Sequence, residues 1–429
     1  MKATSQAVAG DRAAVSAVSA ASTDKRRAFQ SLWVLGSIGL LYISFGISFG
    51  LLEFAVPPIL LSQGVDLAKM GWVIALYIPF GLTFLWAPLI DAKPLPWLSY
   101  RIGWIVIAQW LSAALLIIIA FGSHLPAAWL FGLGFAVCFA VATMDLALDA
   151  LAVDIVSKHH LSSVAALKVG ALALGGMLGG GVFLGLYSHL HWKGIFLLSA
   201  LIPIISALPV VALTKADRPR PTHSTRPSIL MALKRPDLVG QLVLLALLTT
   251  TVIGLVYFQR VILVEMHVSL AHIGWTIGTL SPIFNAVAAA LVTPILYRFR
   301  AGKIFWLLIA GCVLTNVGVL YGIAHHSAIV VTSWSLVGAS VCSALSVMIY
   351  TLILRWAEGT QAATDYALLC GGSRLIATLV LMGIPSILPT IGWRGFYIAS
   401  SIALVVLGAF AYRHIERVAK ENAALVPNA

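Results

Sequence analysis

Apolar stretches recur along this chain at a length that only a bilayer requires. About 20 apolar residues cross the hydrocarbon core as a helix. The hydropathy pattern predicts twelve such spans, numbered here 1 to 12: 31–52, 68–90, 103–121, 127–150, 164–188, 193–213, 238–264, 271–297, 303–323, 328–354, 364–388 and 394–413. Only 10% of the 429 residues are charged, against about 25% in a soluble domain. Mean hydropathy is +1.00. In lipid each backbone amide must be satisfied within its own segment, so runs of this length predict an all-α membrane protein.

The net charge of +12 invites a nucleic-acid reading, but its distribution excludes one. Lys and Arg gather at one set of alternating connections: Lys25-Arg26-Arg27, Lys93 and Arg101, the 214–237 segment, and Arg298 to Lys303. That is the positive-inside pattern, and it predicts both termini in the cytoplasm. Residues 1–29 read as a flexible cytoplasmic tail, because no unbroken apolar region follows the start as a signal peptide requires. Cys138, Cys312, Cys342 and Cys370 fall within spans without a CxxC pair and are expected to pack, not to bridge.

The chain is duplicated. DLAKMGWVIAL at 66–76 matches SLAHIGWTIGT at 269–279 in five of eleven positions. HWKGIFLLSA at 191–200 matches GWRGFYIASS at 392–401, and ALKVG at 166–170 matches ALLCG at 367–371. These matches keep a nearly constant separation. They predict two pseudo-symmetric six-helix halves, 30–213 and 238–414, related by an axis along the membrane normal, which is the arrangement of the major facilitator fold. Between them lies a basic, Pro-rich cytoplasmic linker at 214–237, and a cytoplasmic tail follows at 415–429. GGMLGGG at 175–181 lacks the ending of a phosphate loop and is expected to be a helix-packing face.

Ionisable residues inside apolar runs mark candidate sites, because each costs about 2.5–3.5 kcal/mol at a helix centre on the insertion scale. FAVATMDLALDALAVD at 139–154 puts Asp145 and Asp149 four residues apart, on one face of a helix. The alternative is that span 4 ends early and leaves both as surface charges. Desolvation favours the protonated form of a carboxylate, so Asp145, with Asp149 and Glu53, is a candidate for proton coupling. Glu53 in span 1 and Arg260 in span 7 lie at similar depth and either pair as a gate or leave Arg260 to receive an anionic group. Arg374, deep in span 11, is the leading substrate-binding cation, and a structural pair with Asp365 or Glu358 is its alternative. Lys168 can neutralise Asp149, and Asp91, Lys168 and Arg101 are gating candidates near the cytoplasmic end. His189, His191, His325 and His326 lack a completing ligand set, so no metal site or cofactor is expected. No protease, hydrolase or Walker motif is present. The expectation is a gradient-driven carrier and not an enzyme, with a membrane receptor on a transporter scaffold as the competing class.

FLWAPLIDAKPLPWLSYRIGW (84–104), ATMDLALDALAVD (142–154) and ALKVGALALGGMLGGG (166–181) resemble the AmpG and acetyl-CoA transporter group of major facilitators. With GVDLAKMGW (64–72), they look closest to its RhtX/FptX-type siderophore permeases. Met144 stands where the family usually has Gln. Ala173 stands where it often has Arg, and Arg374 holds the equivalent position of the second half. The resemblance implies a monomeric bacterial inner-membrane importer that carries an iron–siderophore into the cytoplasm with protons. Tyr42 and Tyr257 are the aromatics available to an aryl chelate. A muropeptide or another amphiphilic solute is the alternative cargo, and export of a drug or siderophore the alternative direction.

Overall fold

The computed structural model describes residues 33–92, 99–155, 161–211, 214, 217, 236–356, 365 and 368–425. The 1–29 tail and most of the 214–237 linker lie outside the described residues. So do Lys93, Glu358 and the side chains beyond Arg413. Among the described residues the chain is helical throughout, and ten helices are long and apolar enough to cross a membrane.

The twelve expected spans and these ten helices differ at two places. Span 2 is broken into Leu67–Leu82 and Ala87–Ala92. Pro79 opens one of its short segments and Pro88 another, and each proline removes a backbone donor from the ladder. Spans 11 and 12 run as one helical stretch, Leu368–Arg413, which changes direction at Gly392 (φ 66°, ψ 170°). The tie between spans 5 and 6 turns in the same way at His191 (φ 53°, ψ −174°). These two residues open the repeated blocks HWKG and GWRG, so the duplication read from sequence is repeated as a backbone turn. Glycine takes positive φ without strain, whereas histidine holds it at a cost.

Two spans are longer than the hydropathy window indicated. Span 1 runs Trp33–Ser62, past Pro57 and Pro58. A π-helical turn at Leu51–Ala55 precedes them, and they occupy the first turn of Val56–Ser62, where a missing N–H does no harm. Span 4 runs Ala127–Ile155, so Asp145 and Asp149 sit on a continuous helix and not in a loop.

Within the first half, the Gly-rich face of span 5 lies against span 1. A Cβ on Gly179 would overlap the Ile47 carbonyl, the close approach that small residues allow in membranes. Between the halves, two contacts close the end of the bundle away from the termini. Gly71 of span 2 lies under the Met382 carbonyl of span 11, and Gly274 of span 8 lies against Gly181 and Gly185 of span 5. Gly71 and Gly274 are the equivalent glycines of the repeated GW pair, so the far seam carries the pseudo-symmetry.

At the opposite end, Asp217 anchors span 3. Its Oδ2 accepts hydrogen bonds from Ser99 Oγ (2.7 Å) and from the backbone N–H groups of Arg101 (2.6 Å) and Ile102 (3.0 Å). A carboxylate there satisfies helix N-terminal donors and complements the helix dipole.

Candidate functional site

A cavity of about 300 Å³ lies between the halves. Span 1 supplies Phe49, Glu53 and Phe54. Span 7 supplies Tyr257, span 8 Asn285, span 10 Ser343 and Ser346, and span 11 Arg374. Two π-helical turns aim the charged members. Glu53 sits in the middle of Leu51–Ala55, and Arg374 follows Leu368–Gly372. Inserted turns of this kind recur at functional sites because they re-aim a side chain without ending the helix.

One wall is aromatic. Phe49 packs against Phe45 (5.7 Å between ring centroids), Tyr77 (5.4 Å) and Phe80 (5.4 Å). The Arg374 guanidinium stands 5.8 Å from the Phe49 ring, and that of Arg260 lies 4.3 Å from Phe54. Both are cation–π contacts that reach from the second half to span 1.

No ion pair joins Glu53 and Arg260 among the described residues. Arg260 is buried, stacks on Phe54, and leaves Nε and Nη1 without hydrogen-bond partners. Glu53 faces the cavity with Oε2 unpartnered. Arg374 is exposed to the cavity and makes no ion pair among the described residues. The alternative pair with Asp365 is therefore not formed, and Glu358 lies outside the described residues.

A second cluster sits on spans 1, 4 and 5. Lys168 Nζ lies 2.6 Å from Asp149 Oδ2 and 3.1 Å from Asp145 Oδ1. The Tyr42 hydroxyl donates to Asp149 Oδ1 at 2.7 Å, and the Lys168 ammonium lies 5.1 Å from the Tyr42 ring. Tyr42 is thus buried within this cluster with its hydroxyl engaged, whereas Tyr257 lines the cavity with its hydroxyl unpartnered. Arg101 donates from Nη1 to the Ala150 carbonyl at 2.6 Å and so ties span 3 to span 4. Asp91 lies in the short segment Ala87–Ala92, and its side chain is outside the described residues.

Some members were not foreseen. Asn285 is a single amide in an otherwise apolar stretch, and its Oδ1 is buried without a partner. Its polarity in span 8 was a usable signal. Asp217 follows span 6 by a few residues, and nothing local indicated that it would cap span 3.

Residues 38–264 match the Major Facilitator Superfamily. The chain is 28% identical over 174 residues to a Haemophilus influenzae protein of unassigned function, covering 40% of this chain and 41% of that one. It is 31% identical over 151 residues to the anhydromuropeptide permease of Escherichia coli K12, covering 34% of this chain and 30% of the permease. These matches therefore span less than half the length of either relative. A Rickettsia felis protein of the AmpG type is 21% identical over 368 residues, covering 80% of this chain and 86% of its own. The fold is also that of a bacterial homologue of the lysosomal transporter Spinster (TM-score 0.62, 15% identity, 90% of this chain and 96% of that one). A POT family transporter shares it too (TM-score 0.69, 12% identity, 90% and 96%). The multi-pass helical architecture, the inter-half cavity and the matched residues lead to one assignment: the chain belongs to the Major Facilitator Superfamily, whose members are secondary membrane transporters.

Proposed function

We propose that this transporter imports an amphiphilic solute with an anionic group across the bacterial inner membrane, coupled to protons. The carrying observation is Arg374, a cation exposed to the inter-half cavity without an ion pair among the described residues, beside the aromatic wall of Phe49. Binding an anion there replaces the water lost by the guanidinium. Asp145, Asp149 and Glu53 are the proposed proton-coupling groups. Lys168 holds the two aspartates together, so protonation of either changes its hold on span 5. Arg260 steadies the span 1 face of the cavity through Phe54, and Tyr257 contributes a hydroxyl to the cargo. Arg101 and Asp91 act at the end that carries the termini, which the positive-inside pattern places in the cytoplasm. The carrier works as a monomer, each half rocking against the other about the fixed site.

The cargo proposed from the resemblance of 84–104, 142–154 and 166–181 is an iron–siderophore. A muropeptide is a second reading of equal standing, favoured by the E. coli permease and the R. felis AmpG-type protein. Uptake by cells lacking their own permeases separates these readings, using a panel of radioiron siderophores and a radiolabelled anhydromuropeptide, each with and without a protonophore. Protonophore-sensitive accumulation of one cargo is expected. Accumulation of the muropeptide alone selects the second reading. Binding of either without accumulation points to a receptor and overturns transport.

A further inference from the structure

Glu53 and Arg374 face one cavity, and among the described residues neither forms an ion pair. Glu53 Oε2 is buried without a hydrogen-bond partner, and Arg374 has no ion pair among the described residues. The Lys168 cluster is paired, whereas Arg260 stays outside the cavity lining with its Nε and Nη1 also unpartnered. Lys168 lies between Asp145 and Asp149, and Arg260 lies on Phe54. Two more unpartnered polar atoms line the same cavity. Tyr257 Oη and Asn285 Oδ1 are buried and unpartnered, and the whole Tyr257 residue is 6% exposed. Leaving a buried polar atom unsatisfied is costly, and more so when it is charged. An occupant that supplies the missing partners recovers that free energy.

The chemistry of the occupant follows from the atoms left open. A carboxylate oxygen and an amide oxygen only accept hydrogen bonds, and a phenol can accept one. The wall built by spans 1, 7 and 8 therefore asks for a donor, and the charge of Glu53 asks for a cationic one. Arg374 on span 11 offers donors only and asks for an anion. Phe49 and Phe54 lie along the same cavity and offer apolar faces. A purely anionic solute would leave Glu53 repelled and unpaired, and a purely cationic one would do the same to Arg374.

We infer that the cargo is a zwitterion, with an ammonium-type group held by Glu53, Tyr257 and Asn285 and a carboxylate-type group held by Arg374. This rests on the transport reading above and narrows it: a chelate or peptidoglycan fragment qualifies by carrying a free amine beside its acid. It also gives Glu53 a role in specificity distinct from proton coupling.

The test uses the purified full-length protein in lipid nanodiscs and the dipeptide Ala–Phe in three forms: free, N-acetylated and C-terminally amidated. Equilibrium binding is measured for each. The free form is expected to bind at least about tenfold more tightly than either blocked form, the worth of one charge-assisted hydrogen bond. In Glu53→Gln the preference for the free form over the N-acetylated form is expected to vanish, while the preference over the amide persists. Arg374→Gln is expected to show the converse. Tyr257→Phe, a milder change, should weaken the free and amidated forms and spare the N-acetylated one. Equal binding of all three forms, or no binding of the free form, overturns the zwitterion. The transport reading is judged separately, by uptake of radioiron chelates and anhydromuropeptide into sealed proteoliposomes carrying the same protein. Uptake without discrimination among the dipeptides sinks only the zwitterion, and discrimination without uptake sinks only transport.

Discussion

Lys168 and Asp149 meet at 2.6 Å on neighbouring spans, with Asp145 3.1 Å from the same ammonium. Two carboxylates one helical turn apart repel each other, and a single cation between them makes the arrangement tenable. The Tyr42 hydroxyl adds a fourth member. The cluster joins spans 1, 4 and 5 at a point that is partly open, since the Asp149 side chain is 47% exposed.

Removing the cation should expose the repulsion. Lys168→Met is expected to lower the melting temperature of the detergent-solubilised protein, with a loss of about 1 kcal/mol given the exposure of the pair. Lys168→Met with Asp149→Asn should recover part of it. A double variant no more stable than Lys168→Met would mean that the two residues are not coupled in stability.

Asp145→Asn keeps shape and removes the titrating group. It should abolish protonophore-sensitive accumulation while leaving counterflow exchange of preloaded cargo partly intact. Full proton-driven uptake by the variant would remove Asp145 as the carrier.

Arg374→Ala should weaken binding of an anionic cargo more than tenfold, about 1.4 kcal/mol. Equilibrium binding to protein in nanodiscs reads this directly. Unchanged affinity would make Arg374 structural, its contact with Phe49 then being its whole role.

The far seam has no room for a methyl group. Gly274→Ala is expected to destabilise the closed arrangement by about 1–3 kcal/mol, the usual range for overpacking. Gly132→Ala, where a Cβ meets nothing within 4 Å, serves as the control. Thermal melts of the two should separate clearly, and equal melts would mean that the seam yields without cost.

Asp217→Ala removes the acceptor shared by Ser99 Oγ and the N–H groups of Arg101 and Ile102. A loss of about 1–2 kcal/mol is expected from the missing cap. Hydrogen exchange should quicken at the start of Ile102–Phe121 and remain unchanged in Tyr187–Val211. Unaltered exchange at Ile102 would show that the cap does not hold the helix.

Much of this architecture was legible because its determinants are local or repeated. The apolar runs specify membrane helices through backbone hydrogen bonding alone. The GW pairs at Gly71 and Gly274, and the WKG and WRG blocks after His191 and Gly392, reveal two halves. The i, i+4 spacing of Asp145 and Asp149 places both on one face of span 4. Lys168 was marked as the neutralising cation from its depth, and that contact needs only that spans 4 and 5 be neighbours.

Tertiary structure decided which charges pair and which stay free. Depth suggested that Glu53 and Arg260 could meet, yet Arg260 lies on Phe54 and Glu53 turns into the cavity beside Arg374. That outcome depends on π-helical turns at Leu51–Ala55 and Leu368–Gly372, a one-residue change in helix phase that hydropathy does not record. Likewise the Tyr42 hydroxyl is spent on Asp149, while Asn285 faces the cavity. Hydropathy and spacing report how deep a side chain lies and which face of its own helix it takes. They do not report how one half is rotated against the other, and that rotation determines whether a buried charge finds a partner or is left for a ligand.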